Sequence, residues 1–504
     1  MSTIPTHLQN QIRALFRSSG TQGGHLSPSV YDTAQVLRYG QAEPACREAM
    51  INWLLEQQHP DGGWGDPTRP ATRELPTLAT MLALHSQAPT CACHEALARG
   101  RAFMAQQHYR WPDPLPDDIP VGIELLLPPL VCQASAAGLI TPYPITPLIA
   151  LGTRRRQRLG SRPVPAGSTL SHSWEALEVP ADPQVCDGSG GVGHSPAATA
   201  AWLATTPTPD HAFPARAYLA AASAATGTVG LQPTVWPIDY FELLWVLYAF
   251  GCAGLLSHPA IRDWADGPLQ RLAAAMTPNG LGMSRYFMHD GDITATALVT
   301  LQLAGMPADV QLLDRFAVSD HFVTYPYELQ PSLSTTAHAV QALALTGRRD
   351  HPALRFLAEH QLADGRWDHD KWHSSWLYTT GVMLHTLIHL EVRPLIEQGL
   401  QALVQTRHRD GGWGSHGCST TAETAYAFLA AHAAQRAGYL VDGLGTAIHT
   451  AGAWLMQTAP TTEQAEPLLW IGKELYKPYR IDAAFVGAAQ LLYVLDIEDH
   501  AVTG

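Results

Sequence analysis

Gln405-Thr406-Arg407-His408-Arg409-Asp410-Gly411-Gly412-Trp413-Gly414 closes one helix-forming run and leads into the next. The pattern recurs as Gln57-Gln58-His59-Pro60-Asp61-Gly62-Gly63-Trp64-Gly65. It recurs in shorter form as His360-Gln361-Leu362-Ala363-Asp364-Gly365-Arg366-Trp367. Each copy reads as a helix end, a glycine-bearing turn and a tryptophan. The indole is expected to plug the gap to the neighbouring helix. Repeated helix pairs build curved or closed α-solenoids. These copies are unevenly spaced, so closed α-barrels are expected rather than an open array. One copy near residue 60 and two at or beyond residue 360 fit two barrels.

The remaining chain agrees with an all-α fold. Runs at 216–225, 241–250, 294–303, 337–345, 378–390 and 421–432 are rich in helix formers, and alternating β-type runs are hard to find. Residues 163–214 are rich in Pro, Gly, Ser and Thr, which places a domain boundary near their end. Just upstream, Thr153-Arg154-Arg155-Arg156-Gln157-Arg158 is a basic cluster, read as a solvated face before a ligand site.

Composition narrows the function. The 504 residues suggest two to four domains, and 46% hydrophobic content supplies large cores. A net charge of −13 argues against nucleic acid as a partner. Met1-Ser2-Thr3-Ile4-Pro5-Thr6-His7-Leu8 has neither the basic start nor the apolar run of a secretory signal. The most apolar window, Val121 to Ile140, is broken by Glu124, Pro128 and Pro129, so no integral membrane segment is expected. A cytoplasmic location follows as the expectation. Seven scattered cysteines suit a reducing compartment, and Cys91-Ala92-Cys93-His94 lacks the second pair of a zinc site. Lys371, Lys473 and Lys477 are the only lysines, in a chain that otherwise uses arginine. Either they persist by chance, or they mark places where a compact point charge suits a ligand such as a diphosphate.

The chemistry-bearing stretch is His289-Asp290-Gly291-Asp292-Ile293-Thr294, at the head of an apolar helix. Two carboxyls a few ångströms apart resist ionising together, which leaves one protonated at neutral pH. In an apolar, aromatic-lined cavity, such an acid can protonate a carbon–carbon double bond.

A family resemblance covers nearly the whole chain. It rests on Ser29-Val30-Tyr31-Asp32-Thr33-Ala34, Val121-Gly122-Ile123-Glu124-Leu125, His194-Ser195-Pro196-Ala197-Ala198-Thr199-Ala200 and Ile238-Asp239-Tyr240-Phe241-Glu242 with Trp245. Asp370-Lys371-Trp372-His373 and Trp470-Ile471-Gly472-Lys473-Glu474-Leu475-Tyr476 complete it. In this order they resemble the motifs of bacterial class II diterpene cyclases, more distantly related to squalene–hopene cyclases. The resemblance implies two α/α-barrel domains, with residues 1–24 plus 216–504 carrying the acid and residues 25–215 inserted as the second barrel. It implies Asp292 as proton donor and Asp290 as the residue that holds and polarises it. His338 resembles a family histidine, read either as a terminating base or as a satisfied interior side chain. Lys371, Lys473 and Arg73 are candidates for gripping the diphosphate. Trp236, Tyr240, Trp245, Tyr286, Phe287, Trp372 and Trp376 are candidates for steadying a carbocation, although each alone reads more readily as core.

Three departures stand out. Ile293 occupies the fourth slot of the acid motif, and Gln35 stands where the family usually has Trp. Relatives carry an acidic cluster after the first tryptophan turn that helps hold Mg²⁺; here Glu74 alone is acidic there, which makes it the metal candidate. The expected reaction converts geranylgeranyl diphosphate to a bicyclic labdane-, halimane- or clerodane-type diphosphate, with Mg²⁺ as cofactor and the diphosphate retained. The alternatives are a drimenyl-type cyclase acting on farnesyl diphosphate and a non-catalytic helical scaffold. Expected partners are the prenyl diphosphate, a downstream class I terpene synthase or phosphatase, and a second copy of the chain in a homodimer.

Overall fold

Two separate hydrophobic cores organise the chain, seen here in a computed structural model. It describes residues 4–503 apart from 88–89, 160–162, 178, 181, 206–208, 327 and 459–465, and leaves aside the side chains of 159, 209–211 and 498–503 as well. Met1–Thr3 of the N-terminal reading, and 178, 181 and 206–208 of the Pro/Gly-rich segment, lie outside the described residues.

The second core is built by α2 (Val30–Arg38), α3 (Arg47–Glu56), α4 (Glu74–Ser86), α5 (Cys91–Gln107), α6 (Ile123–Ala136), α7 (Thr146–Leu159), α8 (Pro196–Thr205) and α9 (Pro209–Ala224), with a 3₁₀ turn at Ser171–Ala176. The first core takes α1 (Thr6–Ser18) and then α10 (Asp239–Cys252), α11 (Arg262–Ala275), α12 (Gly291–Leu303), α13 (Leu333–Leu345), α14 (Ala353–Glu359), α15 (Trp376–Leu390), α16 (Arg393–Thr406), α17 (Thr421–Arg436), α18 (Leu444–Gln457) and α19 (Tyr479–Thr503). A two-residue hairpin, β1 (Trp470–Ile471) and β2 (Leu475–Tyr476), precedes α19.

Helix packing closes both layers. In the first core α10, α12, α13, α15, α17 and α19 each touch the next, and α19 returns to α10. Outside them, α11 packs on α10, α14 on α13, α16 on α15, α18 on α17 and α1 on α19. In the second core α2, α4, α6, the 3₁₀ turn and α8 close a smaller ring, with α3, α5, α7 and α9 outside. The architecture is a double α/α-barrel.

Sequence chemistry explains the layering. α12, α13 and α17 are buried over most of their length, as helices apolar all round must be. α1 buries only Leu8, Ile12, Leu15 and Phe16, and α16 only Ile396, Gly399, Leu400, Ala402 and Leu403, which is mainly one stripe. Inner helices begin on side-chain caps: Ser29, Asp290, Ser332, Ser375 and Thr420 each accept a backbone N–H of the first turn.

The tryptophan turns are one device used three times. Trp64, Trp367 and Trp413 are fully buried. Their indole N–H groups donate to the carbonyls of Leu54, Leu357 and Leu403 at 2.6, 2.8 and 2.8 Å. Their backbone N–H groups donate to the hydroxyls of Thr77, Thr380 and Thr424 at 2.9, 3.0 and 2.9 Å. Each turn ties the outer helix before it to the inner helix after it.

The domain boundary differs from the sequence reading. A boundary at 215/216 falls inside α9, whose Ala215, Tyr218, Leu219 and Ala222 pack in the second core, as does Leu231. Val235 belongs to the first core. Pro/Gly-rich composition marks loops, whereas the handover between cores lies beyond α9, between Leu231 and Val235.

A buried polar node joins the barrels. Asp32 accepts the backbone N–H of Ala197 at 3.0 Å and the Ser29 hydroxyl at 3.0 Å. Lys473 donates to Ser195 and to Glu175, both at 2.7 Å, and lies over the Tyr31 ring. Glu474 accepts the Tyr31 N–H at 3.1 Å. Burial pushes Asp32 up to about 6 and Glu474 up to about 7. Gln35 fits the node without an indole, donating to the Tyr31 hydroxyl and accepting from Arg38.

Replacing Trp413 by Ala removes a buried indole and its hydrogen bond. The expected loss is about 3–5 kcal/mol of stability, to be read from the urea midpoint of the purified variant.

Candidate active site

Asp290 caps α12 through a 2.9 Å bond from the Ile293 N–H to its Oδ1. That role holds its carboxyl at the helix mouth, with Asp292 on the first turn beside it. Both are buried and both line a cavity between the barrels. The second barrel and its loops contribute Val121, Thr169 and His172. The first contributes Ile238, Phe241, Trp245, Phe287, Tyr325, Trp372, Trp470 and Tyr476, among others. The space is about 790 Å³ when its open mouth is included. Its walls are mainly apolar and aromatic.

Burial and the neighbouring Asp292 push Asp290 up to about 8, against the opposing pull of the Ile293 N–H and the Tyr325 hydroxyl. The pair therefore retains a proton at neutral pH. His338 Nδ1 lies 2.7 Å from Asp292 Oδ1. Its Nε2 is buried and finds no hydrogen-bond partner among the described residues. The arrangement fits a proton on Nδ1 donated to Asp292. Trp245 and Tyr248 meet the imidazole edge-on. His338 therefore sits behind Asp292 and does not line the cavity.

A polar vestibule adjoins the cavity and shares Val121, Thr169, Tyr325 and Trp372 with it. Arg155, Arg158, Lys371, Gln330 and Glu328 also line it. Lys371 is nearly buried, paired with Glu328 and 5.1 Å from the centre of the Trp372 ring. Arg155 reaches Glu124 at 2.5 Å, so the Val121–Leu125 motif and the arginine cluster on α7 meet at this wall. The cluster read from sequence as a solvated face turns two arginines into the vestibule.

Residues 306–457 match the family described as squalene-hopene cyclase C-terminal domain. The (+)-kolavenyl diphosphate synthase of Herpetosiphon aurantiacus is 40% identical, with 98% of this chain and 99% of that protein covered. The labda-7,13-dienyl diphosphate synthase of Streptomyces clavuligerus is 33% identical over 93% of this chain and 89% of its own length. The chain belongs to the class II diterpene cyclases. The solved ent-copalyl diphosphate synthase from Streptomyces platensis superposes with a TM-score of 0.79 at 27% identity, covering 97% of this chain and 99% of that one.

Within this cyclase, the structure brings together Asp290, Asp292, His338, Trp245, Phe287 and Trp372, with Lys371 at the entrance. Other sequence candidates lie elsewhere. Arg73 is committed to Asp61 through two hydrogen bonds of 2.6 and 2.8 Å and stacks on Phe103 beneath the first tryptophan turn. Glu74 points into the second core, accepting the Tyr109 N–H at 2.8 Å and the Trp111 indole at 2.9 Å; burial pushes it up to about 7. Neither is placed to bind phosphate or metal. Lys473 is committed to Glu175 and Ser195 in the inter-barrel node and does not line the cavity.

Among the aromatic candidates, Trp236 packs on Tyr218, and Tyr286 is 37% exposed at the surface. Trp376 lies under Arg366, and Tyr240 packs at the edge of the first core. None of these four is in the cavity wall. Phe241, Trp470 and Tyr476 take their place. Among the described residues no group of three or more His, Cys, Asp or Glu side chains is arranged to hold a metal ion, and the vestibule's one carboxylate is already paired with Lys371. The residues present do not fit a protein-built Mg²⁺ site.

Sequence reasoning also passed over His172. Its Nδ1 lies 2.8 Å from the Gly193 carbonyl, and burial together with the Lys473 charge holds it well below the usual histidine range. The neutral ring donates from Nδ1 and leaves an unprotonated Nε2 in a cavity-lining residue. The only signal in sequence is a lone histidine in a Ser-rich run, Ser168–Ser173.

A carboxyl pushed up to about 8 holds its proton in the folded state while the unfolded chain releases it near pH 4. Its contribution is therefore complete below pH 4 and is lost as pH rises through about 8. Asp290→Asn keeps the helix cap and removes the titration. Its melting temperature should match the wild type near pH 4 and exceed it at pH 8, as scanning calorimetry at both pH values will show.

Proposed function

We propose that this cyclase protonates the terminal alkene of geranylgeranyl diphosphate and closes a bicyclic skeleton while the diphosphate stays attached. The observation that carries the reading is a carboxyl pair at neutral-pH protonation, set in an aromatic wall, one cavity away from a cationic vestibule. The relatives described above are named as synthases of kolavenyl, labdadienyl and copalyl diphosphates. Neither the farnesyl reading nor the scaffold reading has comparable support.

An isolated alkene is a very weak base, so the donor must be un-ionised, dry and well supported as its conjugate base. Asp292 has one oxygen on His338 Nδ1, which steadies the carboxylate formed, and its side chain borders the cavity. The pair's one proton is delivered from Asp292, and the Ile293 N–H on Asp290 helps to carry the charge left behind. As the Asp292 O–H bond breaks, a C–H bond forms on the alkene and a tertiary cation results. Two ring-closing C–C bonds follow. Trp245, Phe241, Trp372 and Trp470 offer π-faces worth about 2 kcal/mol or more each to a desolvated cation. His172 Nε2 takes the final proton, and Lys371, Arg155 and Arg158 receive the diphosphate. Mg²⁺ in this reading arrives as the diphosphate's own counter-ion, and no step is assigned to it. The product keeps an allylic diphosphate, which suits a class I terpene synthase or a phosphatase as the next enzyme.

Asp292→Asn should reduce turnover of geranylgeranyl diphosphate by about 10²–10⁴-fold with an unchanged circular dichroism spectrum. Retained activity in a folded variant refutes the assignment. His172→Phe should consume substrate but redirect termination, giving new alkene isomers or alcohols by mass spectrometry after dephosphorylation; an unchanged product rules out His172 as the base.

A further inference from the structure

The turn between α12 and α13 touches both the vestibule and the acid. Glu328 presents Oε1 to the Lys371 ammonium, while its Oε2 accepts the backbone N–H of Thr324 at 3.0 Å and of Tyr325 at 3.4 Å. The Thr324 carbonyl accepts the N–H of Gly291, the residue between the two aspartates, at 2.7 Å. The Thr324 hydroxyl accepts the Trp372 indole N–H at 2.9 Å and meets Thr335 Oγ1 at 3.0 Å. The Tyr325 hydroxyl faces Asp290 and opposes the rise that burial imposes on its carboxyl, and Tyr325 borders both the cavity and the vestibule.

We propose that Glu328 and Tyr325 are positioning residues in a strap that couples occupation of Lys371 by the substrate's diphosphate to the geometry and charge of the Asp290–Asp292 pair. The inference rests on the proposed placement of the diphosphate in the vestibule.

The physical reason is competition for one cation. A buried lysine–glutamate pair gains little net stability, because desolvation offsets its attraction. Here the pair sits where a dianionic tail would enter. A diphosphate that engages Lys371 leaves Glu328 with less compensation, and Glu328 is a like charge to the acid pair. Its remaining partners are the N–H groups of Thr324 and Tyr325, so the strap tightens on the segment that holds Gly291 and Asp290. Among the described residues, the ionisable groups around the acid pair include His338 on α13, Tyr325 and Glu328 on the turn with Lys371 behind Glu328, Asp370 beside Lys371, and Tyr378 on α15. An anion at Lys371 therefore reaches Asp290 through Glu328, beside the fixed charge that Asp370 presents to Asp292.

Tyr325→Phe and Glu328→Gln test the strap separately from the site. Tyr325→Phe removes a donor to the Asp290 carboxylate. It should lower kcat about tenfold or more, leave KM within about twofold, and move the alkaline limb of the kcat profile upward. Glu328→Gln frees Lys371. It should bind inorganic pyrophosphate at least about threefold more tightly by calorimetry while kcat falls, an opposition that simple loss of structure does not produce. Unchanged kcat and pH profile in both folded variants overturns the proposal. A parallel fall in kcat, pyrophosphate affinity and melting temperature makes the turn structural only and also overturns it. Lys371→Ala binding pyrophosphate as well as the wild type refutes instead the vestibule reading on which the strap rests.

Discussion

Two carboxyls on successive sides of Gly291 share one poorly hydrated space, and burial reinforced by their mutual repulsion is the constraint on which the site depends. Neither can ionise freely while the other is charged, so the pair keeps a proton that exposed aspartates would lose. That repulsion is useful only where water and stray cations are kept out. The closed ring of inner helices supplies the dry surroundings, and the cap on α12 supplies the aim. Asp290 does both jobs with one side chain: it starts the helix and it withholds a charge.

The same constraint explains why so much polar chemistry lies away from the cavity. The node of Asp32, Ser195, Lys473 and Glu474 fixes the second barrel against the hairpin that carries Trp470 and Tyr476. The Val121 N–H donates to the Gly472 carbonyl at 2.8 Å, and the Ile471 N–H donates to Trp372. These bonds set the width of the gap between barrels, and with it the shape of the aromatic wall. A motif in this chain is therefore often a fastening whose product is the shape of a cavity it never enters.

That distinction governs how much could be read from sequence. The tryptophan turns were legible because each is local: Trp413 bonds the carbonyl ten residues before it and the hydroxyl eleven after, all within two helices. The acid pair was legible for the same reason, since the spacing of Asp290 and Asp292 and the cap come from one turn. Lys473 and Arg73 were misplaced because a lysine or arginine inside a motif does not reveal which partner reaches it; here Glu175 and Asp61 arrive from distant segments or across a turn. Arg155 and Arg158 were read as solvated because the face they show depends on how α7 lies on α6. Trp236 and Tyr286 failed for another reason. Closeness in sequence to the acid does not by itself bring an aromatic to its open face: Phe287 reaches the cavity and Tyr286 does not, while the hairpin residues Trp470 and Tyr476, far downstream, do.

Ile293, the departure in the acid motif, now has a physical reading. It lines the cavity beside Asp292, and its backbone N–H, not its side chain, is what Asp290 needs. A polar side chain there would add a hydrogen-bonding group to a wall otherwise built to repel water. With isoleucine, the support of the acid falls to groups outside the motif: His338 on Asp292 and Tyr325 on Asp290. The tuning of the donor is thus moved from the helix that bears it to α13 and the turn before it, and that turn also reaches the vestibule.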